Sequence, residues 1–256
     1  MDELTTCIKQ LREQIARIPK ETNAYWESRL KILPKLDDPK ENRNNKRRPE
    51  LVLKSEMRLE LGGPGTDSCG MVLYTSDRDM VLDGLLTVIG PDIPDVSSRE
   101  TAYGQVILIA GAPLDKSMYY EIQKAIDLSC SIPGYMSKRN GVEIWDRVSE
   151  KAVKNGLDFS RVAGTLMQQI KDRLSEVAAV EILILTGHAE VVKPLQEIGK
   201  KAETSWKKLK KQLWSSRGLD LDACSPGGHC GACDDKETCD KIRQISKNYS
   251  ETKQLI

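Results

Sequence analysis

The sequence predicts an α/β (or α+β) protein built on a mixed sheet with flanking helices, preceded by a helical arm and followed by a small cysteine-rich module. Three observations support this fold class. Between about residues 55 and 215, apolar runs of strand length alternate with amphipathic runs of helix length. Residues 106–110 are wholly apolar, as expected of a central strand that is covered on both faces. Four cysteines fall within residues 224–239, near the end of the 256-residue chain.

Composition divides the chain into four parts. Residues 1–36 are predicted to be a helical docking arm and residues 37–54 a charged linker. Residues 55–215 form the α/β domain, and residues 216–256 form the metal-cluster segment. The formal net charge of +1 gives no sign of a nucleic-acid partner. No apolar run approaches the roughly 20 residues that a membrane span needs, and no signal peptide is recognisable, so we expect a cytoplasmic protein.

The arm is predicted to be one amphipathic helix. Its aliphatic residues recur at steps of four, three, four and three, at Leu4, Ile8, Leu11, Ile15 and Ile18. A stripe of this kind covers either its own domain or a partner subunit, because so short a helix is not stable alone in water. We expect it to dock on another chain, since the run DDPKENRNNKRRPE that follows at 37–50 has no aliphatic residue with which to bury a core.

The α/β domain contains several predicted strands and helices. The strands are expected at 57–61, 71–74, 85–89, 106–110, 142–148 and 181–186. The first helix begins at Asp115 and runs toward Cys130, and the second covers 150–155, between the cap residue Ser149 and Gly156. The third covers 160–174.

A long basic helix is predicted at 190–214. Eight Lys or Arg and two Glu lie between Lys193 and Arg217, around an apolar stripe that includes Trp206 and Leu209. The lysines are typical of a solvated helix face, of a surface for an acidic partner, or of a site for a phosphate-bearing ligand. The sequence leaves these readings open.

The cysteines carry the strongest chemical signal in the chain. Cys224, Cys230, Cys233 and Cys239 have the spacing C-x5-C-x2-C-x5-C, which brings four thiolates within reach of one metal centre. Zinc and a [4Fe–4S] cluster both accept such a set, so the spacing leaves both open. Two disulfides are disfavoured, because the other three cysteines are isolated and nothing suggests secretion. The neighbouring His229 is expected to hydrogen-bond to a cluster sulfur.

Several runs, taken in order, resemble the beta subunit of carbon monoxide dehydrogenase/acetyl-CoA synthase. They are MRLELGGP (57–64), DGLLTVIGPDI (83–93), AYGQVILIAG (102–111), RNGVEIWDRVSEKAVKNG (139–156) and VEILILTGHAEVVKPLQEIGKKAE (180–203). The resemblance covers about residues 56–215, which correspond to the middle domain of that family, and the cysteine segment lies where the family's metal-binding domain begins.

The resemblance implies several properties. It favours a [4Fe–4S] cluster over zinc, contacts with a corrinoid protein and a coenzyme A site. Lys200, Lys201, Arg139 and Arg147 are the candidates to meet the coenzyme A phosphates. This chain departs from the family at the metal site. The family pattern resembles C-x2-C-x8-C-x9-C, followed by a Cys-Gly-Cys that holds a distal nickel, and neither pattern occurs here.

Three functions remain compatible with these observations. The first is a non-catalytic iron–sulfur subunit of a larger complex of anaerobic one-carbon, corrinoid or acyl-CoA metabolism, which transfers electrons or organises its partners. The second is an acetyl-CoA-synthase-like enzyme that transfers acyl or methyl groups. The third is an adaptor protein stabilised by zinc. We favour the first, because four cysteine ligands leave no open metal position for chemistry.

Overall fold

Nine β-strands and five α-helices occupy the parts of the chain that this computed structural model describes, which are residues 3–19, 25–30, 51–63, 65–126, 131–187 and 189–215. The strands are β1 (Tyr25–Arg29), β2 (Met57–Leu61), β3 (Ser68–Thr75), β4 (Leu85–Ile89), β5 (Glu100–Thr101), β6 (Tyr103–Gly111), β7 (Tyr135–Asn140), β8 (Glu143–Ser149) and β9 (Val177–Thr186). The helices are α1 (Glu3–Ala16), α2 (Lys116–Ala125), α3 (Glu150–Lys154), α4 (Phe159–Arg173) and α5 (Ala189–Ser215).

The larger sheet is mixed, which confirms the predicted fold class. Its five strands lie in the order β1-β4-β9-β6-β3. β3 and β6 pair in parallel, as do β4 and β9, whereas β1 with β4 and β6 with β9 are antiparallel. Every residue of β3, β4 and β6 is buried. Helices α1 and α5 pack against β3, and α4 packs against β9 and β4. The most apolar runs of the sequence are therefore fully buried strands of this sheet.

The smaller sheet stands against the β3 edge of the larger one. Its four strands lie in the order β5-β2-β8-β7. The Gly70 amide donates to the Val142 carbonyl at 2.8 Å, and the Ile144 amide donates to Ser68 Oγ at 3.3 Å. Gly62 has φ +68°, and a Cβ at this position would collide with the carbonyl oxygen of Ile144. The hairpin of β7 and β8 is thus held close to β3.

The N-terminal helix is part of this domain. Leu4, Ile8 and Leu11 are buried in the same hydrophobic cluster as the sheet, and α1 packs against α5 and β3. Arg12 on α1 also makes an ion pair with the buried Glu181 of β9. The expectation that this apolar stripe docks on another subunit is therefore corrected, because these side chains are already covered by their own chain.

The predicted boundaries of the arm and the linker also change. Residues 25–29 form β1, which pairs antiparallel with β4 and extends the larger sheet. At the other boundary, Val52 is buried and its carbonyl accepts from Arg147 Nη1 at 3.4 Å. The described parts of 1–36 and of 37–54 thus pack with the α/β domain, and residues 37–50 lie outside the described residues.

Local sequence patterns predicted most of the other strands and helices. The predicted strands at 57–61 and 85–89 have the bounds of β2 and β4, and the strand at 142–148 corresponds to β8. Asp115 accepts from the Met118 amide at 2.7 Å and caps α2, and Ser149 accepts from the Ala152 amide at 3.2 Å and caps α3. Three strands were not predicted: β1, β5 and β7. Their sequences are polar or very short, so they lack the apolar period of a half-buried strand.

None of the helices in the described ranges is long and apolar enough to cross a lipid bilayer. The longest is α5, with 27 residues, and lysines flank its apolar stripe.

The first prediction concerns the ion pair that joins α1 to the sheet. Arg12→Ala would leave the Glu181 carboxylate, which is 1% exposed, without its charged partner. We expect the free energy of unfolding to fall by about 3 kcal/mol, as when one partner of a buried pair is removed. Urea denaturation followed by circular dichroism measures this change.

Lys208→Ala is the matched control, because Lys208 also bonds across the α1–α5 contact, to Glu3, but at the surface. Its effect should be small by comparison. Equal losses in the two variants would contradict a special role for the Arg12–Glu181 pair.

Candidate functional site

A cleft of the domain lies where β3 and β7 approach each other, with α2 and α5 as its walls. It has a volume of about 570 Å³. Gly70–Val72 of β3 line one side, Ser137–Arg139 of β7 line another, and Tyr119 and Trp206 come from the two helices. One wall of the cleft is thus apolar, and another is a short, positively charged part of β7.

Trp206 is the fixed wall of this cleft. Its indole Nε1 donates to the Val72 carbonyl at 2.7 Å, and the side chain is 9% exposed. The Tyr119 ring packs against it edge to face, with ring centroids 5.5 Å apart. The hydrogen bond and the ring contact orient the indole, so this side of the cleft is preformed.

Arg139 is the main polar group of the cleft. Its Nη2 donates to Gln105 Oε1, and its Nε is buried without a hydrogen bond to any described residue. Its Nη1 lies over Gly70, 3.0 Å from the place that a Cβ would occupy there, so a side chain at position 70 would press on the guanidinium. The described residues also give Lys138 no ion pair, whereas Lys207 pairs with Glu203 at 2.7 Å. Arg139 and Lys138 therefore have donors available to an anionic group.

A buried polar network lies behind Arg139. Gln105 Nε2 donates to the Tyr103 hydroxyl at 3.0 Å, and the Tyr135 hydroxyl donates to Asp146 Oδ2. Asp146 is completely buried, and burial raises the pKa of its carboxyl to about 6. The Tyr135 hydrogen bond and the positive charge of Arg139 oppose this rise. The carboxyl of Asp146 thus titrates in a pH range where ordinary aspartates are already ionised.

The structure does not bring the four predicted cations together. Of these, Arg139 alone lines the cleft. Lys200 and Lys201 line a separate groove between α1 and α5, and Arg147 pairs with Glu60 at 3.6 Å and lies over the Trp145 ring. Lys138 and Lys207 line the cleft but were not among the four residues predicted to meet coenzyme A. Their placement depends on the pairing of β7 and on the docking of α5, which no local sequence signal reveals.

The four predicted metal ligands, Cys224, Cys230, Cys233 and Cys239, lie outside the described residues, as do Cys130 and both histidines. The described Cys7 and Cys69 are both buried. Burial raises the pKa of Cys69 to about 12, so it is protonated at neutral pH and is a poor ligand. Within the described ranges there is no group of three or more His, Cys, Asp or Glu placed to hold a metal ion. The metal site at these four cysteines stays a prediction.

Comparison with known proteins confirms the family resemblance. The family model described as CO dehydrogenase/acetyl-CoA synthase complex beta subunit matches residues 46–191. A relative named acetyl-CoA decarbonylase/synthase complex subunit beta from Archaeoglobus fulgidus is 29% identical over 152 residues, which are 58% of this chain and 29% of that protein. The subunit beta 1 proteins of Methanosarcina thermophila and Methanosarcina mazei are each 26% identical over 150 residues, 57% of this chain and 32% of theirs. The chain thus spans about a third of the length of these curated relatives.

The second prediction concerns Asp146. Its pKa is about 6 in the folded chain, against 3.8 for an ordinary aspartate. The stability linked to this group is therefore fully present below about pH 4 and is lost as the pH rises through 6. Between pH 4 and 7 the difference in unfolding free energy between wild type and Asp146→Asn should shift by about 2 kcal/mol in favour of the variant. Urea titrations across this range measure it.

Asp79→Asn is the control, because Asp79 is an exposed carboxyl. The pH profile of this variant should run parallel to that of the wild type. An Asp146→Asn profile that also runs parallel would show that Asp146 is ionised with an ordinary pKa.

Proposed function

This chain belongs to the CO dehydrogenase/acetyl-CoA synthase complex beta subunit family, and we propose that it acts as a non-catalytic iron–sulfur subunit of a larger complex of anaerobic one-carbon or acyl-CoA metabolism. The family match covers more than half of the chain. The names of the relatives assign those proteins to the acetyl-CoA decarbonylase/synthase complex. That this chain joins a complex of the same kind is part of the proposal. The observation that carries it is a four-cysteine set directly behind a domain of this family.

In this proposal the four cysteines hold one [4Fe–4S] cluster. A cubane of this kind takes one thiolate at each iron, and Cys224, Cys230, Cys233 and Cys239 supply four within sixteen residues. When bound, the cluster supplies one-electron chemistry. The buried thiols of the domain do not compete for iron, because they are held inside the hydrophobic cluster.

The non-catalytic role follows from the number of ligands. All four clustered cysteines are needed to close the cubane, and the sequence has no Cys-Gly-Cys to hold a further metal beside it. We therefore propose electron transfer or assembly rather than acyl or methyl transfer at this chain.

The partners in this proposal are other subunits of the complex, among them a corrinoid protein. Since the apolar stripe of α1 is buried, the surface that supports docking is the last part of α5. Lys207 and Lys208 there pair with Glu203 and Glu3, but Lys210 and Lys211 make no ion pair with the described residues. This basic end suits an acidic partner surface.

We also propose that this chain binds coenzyme A. Its site would be the cleft, which contains one of the four predicted cations, and not a site formed by all four. Arg139 and Lys138 would meet its phosphates, since both have donors available. The ring of Trp206 and the apolar side chains near it would cover the less polar parts of the molecule.

The third prediction tests the cluster. Anaerobically produced protein should contain about four iron and four sulfide per chain, with broad absorption near 400 nm that bleaches on reduction. Cys233→Ser should remove most of both elements, because the cubane loses a ligand. Cys69→Ala, which removes a buried thiol of the domain, is the control and should keep them. Metal and sulfide analysis gives the result.

Stoichiometric zinc without sulfide in the anaerobic protein would reject the iron–sulfur subunit and favour the zinc-stabilised adaptor.

The fourth prediction tests coenzyme A. Calorimetric titration at low salt should detect binding, and Arg139→Ala should weaken it at least about tenfold, the effect of losing one charge-assisted hydrogen bond. Lys200→Ala is the control, since Lys200 lies on another groove and pairs with Glu197 at the surface. No heat at millimolar coenzyme A, or equal losses in both variants, would remove coenzyme A from the proposal.

A further inference from the structure

A buried carboxyl and the arginine of the cleft share one face of the β7–β8 hairpin. In the register of the hairpin, Arg139 lies opposite Ile144 and Ser137 lies opposite Asp146. Residues that lie opposite each other in an antiparallel pair point to the same face. Arg139 and Asp146 are therefore diagonal neighbours, at a separation of about 7–8 Å that a long side chain can span.

Each of these two side chains has one buried atom without a hydrogen bond to the described residues. The Tyr135 hydroxyl donates to Asp146 Oδ2, but Oδ1 accepts no hydrogen bond, and Arg139 Nε donates none. Buried polar atoms without partners are rare, and they are most costly when the group is charged. The unpaired acceptor and the unpaired donor would satisfy each other if the Arg139 side chain turned toward Asp146.

A chain of hydrogen bonds also connects the two groups. Arg139 Nη2 donates to Gln105 Oε1, and Gln105 Nε2 donates to the Tyr103 hydroxyl at 3.0 Å. That hydroxyl is in turn within hydrogen-bonding reach of Asp146. A change of charge at Asp146 therefore reaches Arg139 both directly and through this chain.

Asp146 is the one member of this network that changes its charge near neutral pH. Burial raises the pKa of the Tyr103 and Tyr135 hydroxyls well above 10, so both stay protonated. The guanidinium of Arg139 stays positively charged. The pKa of the Asp146 carboxyl is about 6, because burial raises it more than its polar neighbours and Arg139 lower it.

The other elements around β8 hold their charged groups away from Asp146. Glu60 of β2 pairs with Arg147, which lies on the opposite face of β8. Cys69 of β3 packs toward α5, and its thiol is protonated because burial raises its pKa to about 12. Glu150 of α3 lies at the surface. Among the described residues, the charge that Asp146 faces is thus that of Arg139.

We propose that Asp146 is a protonation switch for the anion site of the cleft, an inference that rests on the coenzyme A site proposed above. When Asp146 is ionised, Arg139 turns inward and pairs with it, which withdraws the guanidinium from the cleft. When Asp146 is protonated, this pair is lost and the guanidinium is available to a phosphate group. Binding of coenzyme A to the ionised form therefore transfers a proton from the solvent to the Asp146 carboxylate.

The direction of the pH dependence follows from this linkage. A phosphate bound at Arg139 disfavours the ionised carboxylate and raises the pKa of Asp146 above its value in the free protein. Affinity for coenzyme A should therefore be highest at low pH and should fall as the pH rises through 6. A rise of about one pKa unit on binding corresponds to a loss of about eightfold in affinity between pH 5 and 8.

Calorimetric titration of the full chain with coenzyme A at pH 5, 6.5 and 8 tests the switch. The ratio of the dissociation constants of wild type and Asp146→Asn should rise about eightfold from pH 5 to 8. The phosphates of coenzyme A titrate in the same way for both proteins, so the ratio removes their contribution. Glu143→Gln is the matched control, because it removes an exposed carboxylate of the same strand, and its ratio to wild type should stay constant.

Two further measurements do not depend on the asparagine variant alone. At pH 6.5, titrations in buffers of different ionisation enthalpy should show that wild type takes up about half a proton more than Asp146→Asn on binding. Tyr135→Phe removes a hydrogen bond that lowers the pKa of Asp146, so the fall in affinity should move to higher pH. Circular dichroism at each pH checks that the proteins are folded.

Parallel pH profiles for wild type and Asp146→Asn, or tighter binding by wild type at high pH, would overturn the switch and leave the coenzyme A site standing. Absence of binding by every one of these proteins at pH 5 would reject the coenzyme A site, and the switch with it.

Discussion

A buried carboxylate in the larger sheet holds the N-terminal layer of this fold in place. Glu181 lies on β9, between β4 and β6, and accepts from Arg12 Nη2 at 2.6 Å and from the Leu82 amide at 2.8 Å. Arg12 also donates to the Met80 carbonyl at 3.2 Å. A charge inside a sheet is tolerated only when it is paired in this way. The pair fixes α1 across the sheet, and α1 in turn forms one wall for α5.

The contact between α1 and α5 then links the position of α1 to the geometry of the cleft. Glu3 accepts from Ser205 Oγ at 2.9 Å and pairs with Lys208 at the same distance, on the turns of α5 that carry Trp206. Gly199 brings the helix so close to β3 that a Cβ there would lie 3.2 Å from Cys69 Sγ. A helix held at both points presents Trp206 to Val72 in one orientation. The geometry of the cleft thus depends on an ion pair on another part of the sheet.

The sequence predicted strands and helices well wherever neighbouring residues in the chain determine the local structure. The apolar runs gave β4, β6 and β9, and the caps Asp115 and Ser149 marked the starts of α2 and α3. The sequence did not predict contacts between segments that are far apart in the chain. Arg12 and Glu181 are 169 positions apart, and nothing in either neighbourhood marks the pair. The same limit explains the candidate site: Arg139 was selected from the sequence as a phosphate ligand, which stays a prediction, and the position of Lys138 in the cleft depends on the pairing of β7 with β8.

The position of α5 also restricts where the metal segment can lie. Ser215 ends the helix on the side toward which β3 runs, and nine peptide steps separate it from Cys224. A chain of that length keeps the first cysteine within about 30 Å of the helix end, whatever metal it holds. The end of α5 carries Lys210 and Lys211, and the cleft beside the helix carries Arg139. In the proposed subunit, the positive charge of these residues would attract a negatively charged cluster carried on this tether. The α/β domain would then contribute position and charge to the proposed cluster, while the cysteines would contribute its ligands.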